Sequence, residues 1–354
     1  MSVYLHSLST AVPPHCLTQQ EVQEHVSIVF GQRYRQFDRL YRTFETAGIE
    51  KRYSVVPLDW FSHDHGWSER NAAFIAGAKA LFIDAAKRAL DNAGWLSREV
   101  DCVVTISSTG IATPSLEAQV FTEMGFRDDI MRIPVFGLGC AGGVSGLSTA
   151  RAIAAGRPRS KVLLVVVEAC SLSFRADRLQ KADIIATVLF GDGAAAACIS
   201  TNRPNSGKIV TLSPGHQKIW PETLDIMGWD VDETGFGVIF DRSIPDFITN
   251  EFAAATDGAL QAANLKHEQI DRYVCHPGGA KVVTAIEAAL CLEQGSLQAE
   301  RATLRDAGNM SAPTVIFVMK SLLDAGQQGQ MMACALGPGF TASYLPFHIG
   351  AEVA

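Results

Sequence analysis

Three residues of this chain carry the types and settings that nucleophilic catalysis needs. Cys140 lies in Gly137-Leu138-Gly139-Cys140-Ala141-Gly142-Gly143, after the apolar run Ile133-Pro134-Val135-Phe136 and before a stretch, residues 144–155, that reads as a helix. A cysteine at a glycine-rich turn that opens a helix meets free backbone N–H groups and the positive end of the helix dipole. Both favour the thiolate, the reactive form of the side chain, so a depressed pKa and a nucleophilic role are expected. Taken alone, the same stretch fits a small buried cysteine in a packing turn equally well. His276, in Tyr273-Val274-Cys275-His276-Pro277-Gly278-Gly279, and Asn309, in Asp306-Ala307-Gly308-Asn309-Met310-Ser311-Ala312-Pro313, add a base and a hydrogen-bond donor at strand ends or helix starts.

These residues are far apart in the chain, and a repeat argues that they converge. Asn92-Ala93-Gly94 with Val100-Asp101-Cys102-Val103-Val104 is echoed by Ala263-Asn264-Leu265 with Ile270-Asp271-Arg272-Tyr273-Val274. Asp101 and Asp271, Cys140 and Asn309, and Gly156 and Gly326 are all separated by about 170 residues. A duplicated strand–helix unit predicts two mainly parallel sheets sandwiching helices, with the Cys140 and Asn309 helix starts as equivalents facing one centre. His276 would end a strand equivalent to residues 103–107.

The elements around them read in order. Residues 3–12 form an opening strand, and Thr18 caps a following helix. Residues 34–47 are helical, and the most basic local cluster, Arg33, Arg35, Arg39 and Arg42, lies at and within that stretch. That cluster is either a solvated face or a landing site for phosphates. Residues 72–93 form a long Ala-rich helix ended by Gly94. Residues 161–170 are almost wholly apolar, as in a central strand covered on both faces. Leu189-Phe190-Gly191-Asp192-Gly193 leads into a strand of small residues at 194–199. Polar residues 201–206 read as the midpoint linker, which divides the chain into halves at residues 1–200 and 207–354.

Composition sets the outer bounds. The chain has 354 residues, 47% hydrophobic and 19% charged, with a net charge of −7, which speaks against general nucleic-acid binding. No apolar run approaches the ~20 residues of a membrane span, and the first residues lack the layout of a signal peptide. A cytoplasmic enzyme is expected. The eight cysteines are scattered without a CxxC pair, so neither a disulfide framework nor a zinc site is expected. His63-Asp64-His65 reads as a solvated loop rather than a metal site.

In combination, the Cys140, His276 and Asn309 stretches and Leu189-Phe190-Gly191-Asp192-Gly193 resemble the motifs of chalcone-synthase-like enzymes, the type III polyketide synthases. The resemblance runs in order over residues 3–348. It implies an α/β, thiolase-like αβαβα sandwich of two pseudo-repeated halves, a homodimer, and use of acyl-CoA and malonyl-CoA without an acyl carrier protein or cofactor. It also implies that Cys140 accepts the acyl group as a thiolate beside protonated His276, with His276 and Asn309 handling the thioester carbonyls. Phe190 matches a gatekeeping phenylalanine. Ala335-Leu336-Gly337-Pro338-Gly339 matches a cavity-shaping loop, departing from it at Ala335 and Leu336. Thr109, Ser173 and Ser311 fall at cavity-lining positions, Val238 at a second gatekeeper position, and Trp229 near a position that is often glycine. Arg39 and Arg42 fall where basic residues meet CoA phosphates, although Thr46 replaces an expected lysine. Met227-Gly228-Trp229-Asp230 and Phe240-Asp241-Arg242-Ser243-Ile244-Pro245 look more like the bacterial branch, with its alkylpyrone and alkylresorcinol synthases. The activity implied is decarboxylative, iterative acyl transfer ending in a pyrone or resorcinol-type ring. The alternatives are a single-round ketoacyl synthase III-like enzyme, a chalcone-type synthase using aromatic starters, or a catalytically silent partner of another synthase.

Overall fold

The computed structural model describes residues 1–30, 37–175, 177–178 and 180–353. In the first half the strands are β1 (Val3–Ala11), β2 (His15–Thr18), β3 (Lys51–Ser54), β4 (Cys102–Ile106), β5 (Met131–Val135), β6 (Val162–Ala169) and β7 (Asp192–Ser200). The helices there are α1 (Gln19–Phe30), α2 (Phe37–Thr46), α3 (Trp67–Ala93), α4 (Leu116–Gln119), α5 (Phe121–Met124), α6 (Gly142–Gly156) and α7 (Lys181–Leu189). The second half has β8 (Gly207–Leu212), β9 (His216–Ile219), β10 (Met227–Val231), β11 (Phe236–Phe240), β12 (Arg272–Cys275), β13 (Gly329–Gly337) and β14 (Thr341–Val353). Its helices are α8 (Ile244–Ala262), α9 (Ala280–Ala289), α10 (Gln298–Ala307) and α11 (Pro313–Asp324).

The duplication is visible in hydrogen bonds. Asp101 N–H donates to Lys161 O at 2.9 Å, and Asp101 Oδ2 accepts from Lys161 N–H at 2.8 Å. Asp271 does the same with Gln330, at 2.8 and 2.7 Å. Each aspartate locks the start of one central strand to its parallel neighbour, β4 to β6 and β12 to β13.

The strands depart from the expected pattern in one respect. Among the described residues ten of them form one sheet in the order β12-β13-β14-β8-β1-β7-β6-β4-β5, with β9 beside β14, while β10–β11 and β2–β3 form separate two-stranded sheets. The β4–β5, β4–β6 and β12–β13 pairs are parallel, and the other ladders of this sheet are antiparallel. The sheet is therefore mixed rather than mainly parallel. The two half-sheets are joined edge to edge where Val3–Leu5 of β1 pairs with Val210–Leu212 of β8.

The layers follow from which face each strand residue buries. In β6, Leu163, Val165 and Val167 face a cluster with Phe74, Ala78 and Phe82 of α3, whereas Val162, Leu164 and Val166 face one with Val144 and Leu147 of α6. In β13, Met331, Ala333 and Ala335 share that inner cluster with Val315 and Met319 of α11. Met332, Cys334 and Leu336 turn outward to Ile248 and Phe252 of α8. Helices α6 and α11 thus form the central layer of an α–β–α–β–α arrangement. Both faces of β6 and β13 are covered, so these strands read as continuous apolar runs without alternation.

Candidate active site

The two central helices begin next to each other. A Cβ on Gly143 would lie 2.3 Å from Ala312 O, so only glycine lets the start of α6 approach the start of α11 this closely. Gly139, at φ +48°, has Pro338 Cδ only 2.6 Å from where its Cβ would be, which fixes the turn before Cys140 against the end of β13. Ser108 Oγ accepts from Gly137 N–H at 3.3 Å and from Gly139 N–H at 3.2 Å, tying that turn to the end of β4.

This approach gathers the predicted residues. The side chains of Ser311 and Asn309 act on the Cys140 thiol, each lowering its pKa. Asn309 Oδ1 accepts from Ser311 N–H at 2.8 Å, and Asn309 Nδ2 donates to Gly278 O at 3.1 Å. These two bonds fix the amide orientation and leave one N–H of the amide for another acceptor. Gly278 lies two residues after His276, which comes off β12 with its N–H donating to Cys334 O at 2.9 Å. The His276 ring is 4% exposed, and neither ring nitrogen has a hydrogen-bond partner among the described residues. A buried, unpartnered imidazole costs folding free energy and is characteristic of a functional group.

A cavity of about 460 Å³ is lined by Cys140, Asn309, Ser311, Phe190, Trp229, Val238 and Pro338. His276 is not among the residues lining it. Trp229, on the β10–β11 hairpin, donates its indole N–H to Ser108 O at 2.8 Å and meets the Phe190 ring edge-on at 6.4 Å. A large side chain therefore fills the position where the family pattern often has glycine.

Several expected positions are placed otherwise. The Thr109 hydroxyl donates to Glu168 Oε2 at 2.7 Å and accepts from Ala169 N–H at 2.8 Å. Its neighbour Ser108 lines the cavity instead. Ser173 lies on a second, apolar chamber of about 430 Å³ that shares Cys170 and Phe190 with the first. Gly337 packs under the Cys140 turn, where a Cβ would sit 2.7 Å from Ala141 N. Gly339 is also outside the cavity, facing Thr341. Arg42 is exposed on α2, whereas Thr43 and Thr46 of the same helix line a third, wider cavity. The Arg39 side chain, Arg33 and Arg35 lie outside the described residues.

Burial acts against a standing thiolate. Burial pushes the Cys140 thiol up from an ordinary 9.0 to about 11, against the lowering effect of Ser311 and Asn309. Burial pushes His276 down to about 3. A helix start contributes about 0.3–1 kcal/mol to an anion, while a two-unit rise disfavours the thiolate by about 3 kcal/mol. Burial therefore opposes the thiolate more strongly than the helix start favours it.

Glu168 is a site residue that the motifs did not single out. It is fully buried at the end of β6, accepts from Ser108 N–H at 2.9 Å as well as from Thr109, and raises the Cys140 pKa by its charge. Burial lifts its own pKa to about 7. The available signal was an acid inside the apolar run of residues 161–170. No cluster of His, Cys, Asp or Glu suited to a metal occurs among the described residues. His65 of the dismissed His63-Asp64-His65 stretch is held by Trp60 O and Glu69.

With this geometry in place, comparison with known proteins decides the family. The chain matches the chalcone and stilbene synthases, N-terminal domain over residues 2–203 and C-terminal domain over residues 211–348. It belongs to that family, the type III polyketide synthases. The synthase is 32% identical to the putative chalcone synthase of Bacillus subtilis (strain 168), over 97% of this chain and 98% of the relative. It is 33% identical to the 1,3,6,8-tetrahydroxynaphthalene synthase of Streptomyces peucetius subsp. caesius, over 96% and 91%. The crystal structure of the 1,3,6,8-tetrahydroxynaphthalene synthase of Streptomyces coelicolor A3(2), a bacterial type III polyketide synthase, superposes with a TM-score of 0.92 at 28% identity. That match covers 98% of this chain and 99% of the other. The synthase is accordingly an acyltransferase that condenses malonyl-CoA decarboxylatively and iteratively and cyclises the product.

Proposed function

We propose that Cys140 is the acyl carrier, that His276 and Asn309 handle the thioester oxygens, and that the starter is an apolar acyl-CoA. The observation that carries this reading is the single cavity onto which Cys140, Asn309 and Phe190 open, with the Asn309 amide hydrogen-bonded to the loop after His276. The Cys140 sulfur attacks the thioester carbonyl as its proton passes to His276, and CoA departs as its thiol with that proton. The free Asn309 N–H and the His276 N–H meet the oxyanion.

Malonyl-CoA then presents its own thioester oxygen to the same donors. Its C–C bond to the carboxylate breaks, CO2 leaves, and the electron pair becomes an enolate. One such donor is worth roughly 3 kcal/mol of barrier. An amide serves better here than a carboxylate, which would repel both malonate and enolate. The enolate carbon attacks the Cys140 thioester, forming the new C–C bond and releasing the cysteine sulfur. Repetition and ring closure give a pyrone or resorcinol-type product, with no cofactor beyond the CoA thioesters and no acyl carrier protein.

The apolar tail of the starter fits the second chamber, whose walls include Leu17, Val22, Val26, Phe61 and Phe174. A homodimer joined along β5 suits the exposed edge of the sheet, where Met131 is 41% and Phe136 56% exposed. Among the described residues no helix is long and apolar enough to cross a membrane, in keeping with a cytoplasmic reading. The deciding assay is mass spectrometry of products formed from malonyl-CoA with acetyl, aromatic and long-chain acyl-CoA starters. Tri- and tetraketide pyrones or resorcinols from fatty starters are expected, and none from Cys140→Ala. Single-extension products, or dependence on a carrier protein, would overturn the iterative reading.

A further inference from the structure

His276 leaves a strand that has a neighbour on one side only. β12 ends the sheet, with β13 beside it. The His276 N–H goes to that neighbour, at Cys334 O. The N–H of the preceding residue, Cys275, goes to a side chain instead. It donates at 3.0 Å to Oε1 of Glu300, a fully buried acid in the first turn of α10. Oε2 of the same carboxylate accepts from Arg272 Nη2 at 2.6 Å. Arg272 is the first residue of β12 and Cys275 the last, so one carboxylate spans the strand that delivers His276.

Glu300 and Asn309 belong to one short segment. α10 runs to Ala307, Gly308 turns out of it at φ +69°, and Asn309 follows. At that end Asn309 Nδ2 donates to Gly278 O at 3.1 Å. The segment therefore grips the chain on both sides of His276, at residue 275 through Glu300 and at residue 278 through Asn309. Asn309 is also held from elsewhere, by main-chain bonds to Leu189 and Gly191. Loss of the Glu300 bond would accordingly free the end of β12 rather than Asn309. Stability alone is a weak reason for a carboxylate here, since desolvation offsets much of the attraction within a buried ion pair.

We propose that Glu300 is a positioning residue for malonyl-CoA decarboxylation. By holding the end of β12 against α10, it sets the place of the His276 ring relative to the Asn309 amide. The inference rests on the reading above, in which those two groups meet the thioester oxygen. Glu300 lines none of the three cavities, so it acts through the main chain of β12 and not on the substrate. A displacement of about 1 Å in such a donor can cost a reaction about 100-fold in rate.

The test removes the ion pair and varies only the acceptor. Glu300→Gln with Arg272→Met keeps an oxygen for the Cys275 N–H, whereas Glu300→Met with Arg272→Met does not, and neither leaves a buried charge unpaired. Two readouts are taken, CO2 release from malonyl-CoA and alkylation of Cys140 by iodoacetamide. In the Met double variant kcat for CO2 release should fall about tenfold or more. Its KM and its alkylation rate should stay as in wild type, because Ser311, Asn309 and Glu168, which act on the thiol, are not on β12. The Gln double variant should restore kcat to near wild type. Equal kcat in the two double variants, or a fall shared by KM and alkylation, would overturn the role. If the Met double variant does not fold, Glu300→Asp with Arg272→Met, one methylene shorter, replaces it with the same split expected. His276→Ala separates this inference from the reading it rests on. Slow CO2 release by His276→Ala with equal double variants refutes the Glu300 role alone. Release at the wild-type rate by His276→Ala refutes the reading of His276 and the Glu300 role together.

Discussion

The backbone of Asn309 brackets Phe190. Its N–H donates to Leu189 O at 2.8 Å and its carbonyl accepts from Gly191 N–H at 3.0 Å, so the two residues form a parallel bridge outside the main sheet. The residue proposed to hold the thioester oxygen and the residue proposed to gate the cavity are thereby one mechanical unit. Substitution at Asn309 tests the chemistry of that unit without breaking the bridge, because the bridge uses only main chain. Asn309→Asp should abolish malonyl-CoA decarboxylation while leaving the melting temperature within a few degrees of wild type. Decarboxylation at an undiminished rate would remove Asn309 from the oxyanion role.

Arg52 supports the same unit from behind. Its guanidinium, 3% exposed, donates to Thr187 O at 2.6 Å, Val188 O at 2.7 Å and Phe190 O at 3.1 Å, capping the end of α7. Removing it takes a charged donor from three carbonyls at the end of α7, of which Val188 O keeps Gln19 Nε2 at 3.3 Å, with a cost of about 3 kcal/mol. Arg52→Met should lower thermal stability by several degrees and broaden starter selectivity as Phe190 loses its anchor. A variant as stable and as selective as wild type would contradict this.

Glu168 couples pH to both stability and reactivity. Its folded pKa, about 7, lies above an ordinary 4.5. Below pH 4.5 the carboxyl is protonated in both folded and unfolded chains and its contribution is fully present. Between 4.5 and 7 the unfolded chain ionises first, and stability falls by roughly 3 kcal/mol in all. Glu168→Gln should therefore flatten the pH dependence of unfolding in that window. It should also shift the pH profile of Cys140 alkylation by iodoacetamide to lower pH, because the charge that raises the thiol pKa is gone. An unshifted profile would mean that Glu168 does not act on the sulfur.

Much of this arrangement was legible in the chain, and the exceptions have physical causes. The repeat located the centre, because Asp101 and Asp271 make the same pair of bonds in each half. Strand direction was hidden. The run Ala194-Ala195-Ala196-Ala197 in β7 fits between β1 and β6 through small size alone, which says nothing about antiparallel pairing. Thr109 was chosen over Ser108 because the motif fixes the segment, whereas neighbouring residues at a strand end point to opposite sides. Glu168 and Arg52 escaped notice because each acts through main-chain partners that only the folded chain supplies. The helix start that favours a Cys140 thiolate can be read from sequence, whereas the depth of burial that opposes it cannot.

Trp229 sets the size of the site. Its ring is held by the bond to Ser108 O, by stacking on Phe236 at 5.5 Å and by the edge contact with Phe190. The hairpin beneath it is anchored by Arg178 Nη1 to Asp230 Oδ2 at 3.0 Å and by Arg175 Nη1 to Asp232 Oδ1 at 2.8 Å. A tryptophan held by three contacts over an anchored hairpin is expected to limit the room left for a longer intermediate. Trp229→Gly removes the largest side chain from that wall without touching the anchors. The expected result is at least one more malonyl extension per product and acceptance of bulkier starters, read as heavier pyrones by mass spectrometry. The KM for malonyl-CoA should stay near wild type. An unchanged product set from a folded, active variant would show that some other wall terminates growth.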